Sequence, residues 1–302
     1  MALLGCNFQH GFATEPALED GSIEDIDAPP SDARVDTPPN ATCFGTGLLV
    51  ECYETVTIPT NPDTLGSTLI DTSNNTNCTK LIPQTNGPEI CLRTAKTITI
   101  TGYTRFKGSR PIALLATETI TVSAGGTLDV SSFRTDVGAG GNTGVCATVG
   151  TGSADTSPSA NAGAGGGGGG GFGAPGGTGG TSDANGGAGG GTTALVQIRG
   201  GCHGGRGGTS ADGVGGEGGH GGGGVYLIAG KGISIAGTIK ANGSGAFGGP
   251  NKAGGGGGGS GGLIAFDTPA LAVTGTVYAN GGGGGEGGAS GQRGEEGNDP
   301  MF

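Results

Sequence analysis

Uninterrupted glycine runs, seven residues at 165–171 and six at 254–259, constrain this chain more than any other feature. Glycine supplies 76 of 302 residues, about a quarter, against roughly 7% in an ordinary chain. Fixing a glycine in a helix or strand costs about 0.5–1 kcal/mol more than fixing an alanine, so a helical bundle is excluded. A collagen needs glycine at every third position with abundant proline. Here there are 15 prolines and the glycine runs are irregular. Charged residues, at 13%, are too few for a disordered polyelectrolyte. With no tryptophan and a hydrophobic content of 32%, one modest core is expected.

A second period lies inside the glycine-rich stretches. Gly-Gly-X triplets read GGTGGT from Gly176, GGRGGT from Gly204 and GGEGGH from Gly215. Three residues complete one turn of an extended left-handed helix, so X falls on one face and the other two faces are bare. Bare faces let backbones approach closely enough to hydrogen-bond. The period therefore predicts packed polyglycine-II helices; the alternative is flexible loops projecting from a β core.

The strongest signal is an internal repeat. ITITGYTRFKG from Ile98, ITVSAGGTLDVSS from Ile120, ISIAGTIKANG from Ile233 and LAVTGTVYANG from Leu271 share one pattern. Each alternates apolar and polar residues, bends at a glycine (Gly102, Gly237, Gly275) and alternates again. One extra residue in the second copy, Ala124 or Gly125, reads as a bulge. Apolar strands at 112–116, 225–229 and 263–266 precede three of the copies. The expectation is an all-β domain over 96–302, built from parallel β-helix-like coils with glycine-rich insertions at 134–224, 246–262 and 281–302. Residues 41–95 read as a separate small disulfide-containing β region.

Residues 7–40 read as a disordered tether. The stretch 14–39 carries eight carboxylates against Arg34, so it holds −7 of the formal −11 and leaves −4 elsewhere. Like charges and prolines extend such a segment. No basic footprint exists, which excludes nucleic acid as a partner.

Seven cysteines occur, without a zinc-type spacing. Cys6 follows Leu3-Leu4-Gly5, the L-x-G-C lipobox pattern, so residues 1–6 read as the remnant of a lipoprotein signal with Cys6 lipidated. This reading requires a basic and apolar leader upstream of Met1; the alternative is a chance four-residue match. The other six cysteines fall into sequence neighbours. Cys43–Cys52, Cys78–Cys91 and Cys146–Cys202 disulfides are expected, among 15 pairings that six cysteines allow. Disulfides imply an oxidising compartment.

Chemistry-bearing patterns are sparse. Gly230-Lys231-Gly232 lacks the hydroxyl of a phosphate-binding loop. Glu217 and His220 share an X column but read as surface decoration. Asp129 and Asp267 are isolated acids that stacking could bring together. Asn242 and Asn280 recur at one repeat position and read as a structural row with left-handed backbone at a corner. No catalytic residue, metal site or cofactor is expected.

The run GSRPIALLATETITVSAGGTLDVSSF, the stretch GGHGGGGVYLIAGKGISIAGTIKANG and the leader IDAPPSDARVDTPP resemble uncharacterised glycine-rich lipoproteins of myxobacteria and their relatives. The resemblance implies export and surface anchoring, and no activity. Together these readings predict an exported cell-envelope lipoprotein, not an enzyme, at the outer-membrane surface or in the periplasm. Its role would be structural or adhesive, with the membrane as partner through Cys6 and carbohydrate or matrix as a further partner. The alternatives are a polysaccharide-processing β-helix enzyme and an ice- or carbohydrate-binding protein, the ice reading drawn from Thr97, Thr99 and Thr101.

Overall fold

The computed structural model describes residues 41–143, 146, 148–154, 163–211 and 213–300. Cys6 and the tether at 7–40 lie outside the described residues. Strands, numbered in chain order, build one antiparallel hairpin and three five-stranded sheets. The hairpin is β1 (Ala41–Phe44) and β2 (Glu51–Glu54). Sheet 1 holds β3 (Asp63–Leu65), β7 (Ile98–Ile100), β10 (Thr119–Val122), β13 (Gly232–Ile235) and β16 (Leu271–Val273). Sheet 2 holds β4 (Thr68–Asp71), β8 (Tyr103–Lys107), β11 (Thr127–Asp129), β14 (Thr238–Lys240) and β17 (Thr276–Tyr278). Sheet 3 holds β5 (Lys80–Ile82), β6 (Ile90–Ala95), β9 (Ile112–Ala116), β12 (Gly224–Ala229) and β15 (Leu263–Asp267).

Every pairing in these sheets is parallel except β5 with β6. From β6 onward the chain visits sheets 3, 1 and 2 in rotation, so each strand pairs with its counterpart three strands later. The repeats expected from sequence coincide with this pairing. Ile98, Ile120, Ile233 and Leu271 sit opposite one another across sheet 1.

Two departures from expectation are informative. The boundary expected at 95/96 falls between β6 and β7, yet β3, β4 and β6 belong to the same three sheets as the later strands. The stack thus begins inside 41–95, and only the β1–β2 hairpin of that stretch stands outside the three sheets. The second repeat has four residues between its strands where the others have two, one more than the pattern suggested, and the extra residues make no bulge within a strand. They lengthen the corner between β10 and β11, where the Gly126 N–H donates to the Ser123 carbonyl at 2.7 Å.

Side-chain burial follows strand environment. Sheet 1 alternates, with Ile98, Ile100, Ile120, Val122, Ile233 and Ile235 facing the interior of the stack. Sheet 3 is buried on both faces, so β9 and β12 are apolar throughout. Its inner face joins the central core. Its outer face packs beneath Leu49 and Phe44 of the hairpin region and beneath Phe172 and Ile198.

The glycine-rich stretches are hydrogen-bonded to one another through backbone, in rows that advance by three residues. We label the segments g1 (150–153), g2 (164–171), g3 (176–181), g4 (184–191), g5 (200–209), g6 (215–223), g7 (241–249), g8 (253–262), g9 (279–288) and g10 (294–298). Along g2, Gly165 and Gly168 donate to g1, Gly166 and Gly169 to g3, and Gly167 and Gly170 to g8, all at 2.8–3.0 Å. Three donor rows serving three neighbours is the contact pattern of a three-residue turn. Exposure follows the same period. In g5 the residues His203, Arg206 and Thr209 are exposed while the glycines between them are buried. Inside the array no X residue is admitted: Gly254–Gly259 of g8 are all buried, and a Cβ on any of them would overlap a neighbouring carbonyl.

The three disulfides are Cys43–Cys52, Cys78–Cys91 and Cys146–Cys202, the sequence neighbours. The first joins directly opposed residues of the hairpin. The third links residues 56 apart and ties a glycine-rich excursion to g5, which contributes about 4 kcal/mol in the chain-entropy account.

Candidate functional site

The outer faces of the three sheets differ in cover. Sheet 3 is roofed as described. Sheet 2 is partly roofed by the turn 133–136: the Arg105 guanidinium lies over the Phe133 ring at 4.7 Å and pairs with Asp136 at 3.2 Å. Sheet 1 presents its outer face to solvent. Strand register brings Thr64, Thr99, Thr121, Ser234 and Ala272 into one column across β3, β7, β10, β13 and β16. Strands stand about 4.8 Å apart, so four hydroxyls form a ladder with that rise. Beside Thr121 and Ser234 lies a shallow depression of about 290 Å³, lined also by Thr119 and Leu271. Thr64 belongs to the first coil, which the repeat pattern missed.

The acids that stacking could have united are kept apart. Asp129 on sheet 2 is buried; it accepts from the Tyr103 hydroxyl at 2.7 Å and the Ser131 N–H at 2.8 Å. Asp267 ends β15 on sheet 3 and accepts from the Thr46 N–H at 2.6 Å, the Gly47 N–H at 3.0 Å and the Tyr226 hydroxyl at 2.8 Å. Burial pushes the Asp267 carboxyl up. The Thr46 amide, the Tyr226 hydroxyl and the Gly47 amide outweigh that and hold it below its usual value. The same geometry, with burial as the larger cause, pushes both tyrosine hydroxyls far above their ordinary range. Each acid is consumed by a structural contact.

The remaining polar candidates are likewise structural. Glu217 pairs with Arg206 at 2.6 Å. His220 contacts the Asn142 side chain through Nδ1 at 2.7 Å, and burial, with His203 adding to it, depresses its protonation. The Asn242 side chain accepts from the Asn280 N–H at 2.9 Å, and the Asn242 N–H donates to Ser131 at 3.0 Å. The two asparagines are thus joined side chain to backbone, and neither has the left-handed backbone expected of it. Among the described residues no group of three or more His, Cys, Asp or Glu could hold a metal ion, and no helix is long and apolar enough to cross a membrane.

One buried charge escaped the sequence reading. Arg199 is 2% exposed. Its guanidinium stands 5.5 Å from the Phe172 ring centroid and reaches the Cys146 and Cys202 sulfurs at 3.0 and 3.2 Å. Burial lowers its pKa. A lone arginine between Ile198 and Gly200 carries no pattern that could have announced this.

Three disulfides place the chain in an oxidising environment, extracellular or periplasmic. Neither a family model, a curated protein nor a solved structure matches the chain.

Proposed function

We propose that this is an exported, non-catalytic cell-envelope protein, anchored by lipid at Cys6, whose parallel β-helix carries docked polyglycine-II helices. Its role is structural or adhesive, with carbohydrate as the surface ligand. The observation supporting adhesion is the in-register hydroxyl column of Thr64, Thr99, Thr121 and Ser234 on the open face of sheet 1. Polysaccharide hydroxyls repeat along a chain, and a ladder of short donor–acceptor side chains on a rigid sheet meets them without a large ordering cost. The triplet X residues add further polar contacts on the glycine-rich side.

A glycan array with the purified protein and the Thr99→Val/Thr121→Val variant tests the reading. Binding that the variant loses supports it; no binding by the parent, or equal binding by both, refutes it. Mass spectrometry of the N-terminal peptide from envelope fractions tests acylation of Cys6 separately.

A further inference from the structure

Segments g2 and g8 lie side by side, and each is enclosed on five of six sides. Around g8 the hydrogen-bonded neighbours are g5, g6, g7, g9 and g2. Around g2 they are g5, g1, g4, g3 and g8. Consecutive members of each ring bond one another, as Gly204 to Gly219, Ser244 to His220 and Ala246 to Gly283 do around g8. Both rings are open at one shared position, between g3 and g9. There a groove of about 380 Å³ runs along g2, g3, g8 and g9. In a hexagonal array this is one missing member.

The backbone around the groove is unfinished at that position. In g8, Gly254 and Gly257 donate to g5, and Gly256 and Gly259 donate to g7. The third row, the N–H groups of Gly255 and Gly258, has no partner among the described residues, though both glycines are buried. Three-fold geometry turns that row to the remaining 120° direction, the groove. In g2 the carbonyls of Gly165 and Gly168 accept from g5 and those of Gly166 and Gly169 from g4. The carbonyls of Gly167 and Gly170 have no partner among the described residues, and the same geometry turns them into the groove. Donors and acceptors thus wait in rows about 9.3 Å apart, three residues of an extended helix. Buried backbone groups are seldom left unpaired.

A second, steric observation agrees. Most glycines of the array, including Gly167, Gly255, Gly258 and Gly282 on the groove wall, would bring a Cβ within about 2 Å of a carbonyl. A few positions along the groove are less crowded. A Cβ on Gly166 would meet nothing nearer than 3.1 Å, on Gly169 3.3 Å and on Gly284 3.6 Å, and on Gly177 or Gly180 nothing within 4 Å. Gly177, Gly180 and Gly284 have room for side chains, as the outer rows of g5 do, yet they are bare; at Gly166 and Gly169 the facing backbone would have to give by a few tenths of an ångström.

The groove also continues into the sheet stack. Segments g6 and g8 run parallel, bonded Gly216 to Gly254 and Gly219 to Gly257, and lead directly into β12 and β15, which pair in parallel. The vacant position lies on the far side of g8 from g6, as the open edge of β15 lies on the far side from β12. A second groove, of about 540 Å³, shares Gly170, Ser260 and Gly281 with the first and adds Phe172, Leu195, Ile264 and Val277. The inward-register residues of the last coil, Leu271, Val273 and Val277, are 49%, 45% and 38% exposed.

We propose that this end face binds a further rod and strand, a Gly-Gly-X segment running into an apolar β-strand, supplied by a second polypeptide. Neither residues 1–40 nor any other undescribed position contains adjacent glycines that could fill it. The proposal goes beyond the carbohydrate reading of sheet 1 and stands without it.

The probe is a fluorescein-labelled peptide of residues 215–229, GGEGGHGGGGVYLIA, titrated onto the disulfide-intact protein by fluorescence anisotropy. Saturable binding is expected, weakened about tenfold or more when Gly216 and Gly219 of the peptide become alanine. The Gly284→Leu protein, checked for an unchanged melting temperature, should lose the peptide; the alanine peptides test the proposal without altering the protein. Absence of saturable binding, equal binding of the alanine peptides, or displacement by a soluble polysaccharide would overturn it. So would a dimer of the protein that the peptide fails to disperse.

Discussion

The three-sheet stack and the glycine array solve the same problem with opposite materials. In the stack, side chains such as Phe106, Leu114 and Leu227 fill the interior, and backbones stay about 4.8 Å apart within each sheet. In the array the backbones themselves are the interior. A Cβ on any of Gly254–Gly259 would overlap a neighbouring carbonyl, and cohesion comes from N–H···O=C bonds and contacts between main chains. The lesson is that a methyl group has opposite value in the two regions: its removal harms the stack, and its addition harms the array.

The largest effect should come from emptying the stack. Phe106→Ala is expected to cost about 3–5 kcal/mol in a urea titration; a loss below 1 kcal/mol would mean that the array, not the stack, carries the stability. Next, Gly257→Ala adds one methyl against the Gly168 carbonyl. It should destabilise by about 1–3 kcal/mol, and a neutral result would show the array to be loosely packed. Gly180→Ala has the opposite sign. Nothing lies within 4 Å of its Cβ site, so a gain of about 0.4–1 kcal/mol is expected from the restricted unfolded chain. The smallest effect concerns pH. Asp267 titrates below its unfolded-chain value, so its contribution is complete at neutral pH and fades as the pH falls through about 4 and below. Melting curves of the parent and Asp267→Asn should differ at pH 7 and draw together as the pH falls below the ordinary carboxylate range. Hydrogen exchange tests the comparison as a whole: amides of Gly166, Gly167 and Gly169, all bonded, should exchange far more slowly than random coil.

Much of this architecture was legible because two local periods report it. Alternation at Ile98, Ile120, Ile233 and Leu271 marked equivalent strands, and their register followed. The Gly-Gly-X period marked the three-fold segments, and exposure of His203, Arg206 and Thr209 repeats it. The first coil was not legible: Asp63-Thr64-Leu65 is too short and too polar to show alternation. Neither was the array's neighbour order. Gly167 bonds Gly255 and Gly205 bonds Gly168, and nothing distinguishes one glycine from another in a string of them. For the candidate site, the outward threonines of β7 and β10 were readable, but their column with Thr64 needed the first coil. The groove was invisible, because a missing member leaves no mark in a sequence.

The contact between Thr46 and Asp267 spans 221 positions, and it bears on the order of events during synthesis. A chain made from its N terminus releases the β1–β2 hairpin first, and its Cys43–Cys52 bond is local enough to form at once. The surface on which the hairpin rests, sheet 3 with Tyr226 and Asp267, is completed among the last coils. The hairpin meets β5 early, through Glu51 and Lys80, but its contacts with Tyr226 and Asp267 must wait while nearly the whole molecule is made. Its docking then reports completion: only a chain that has reached β15 can close over its own beginning.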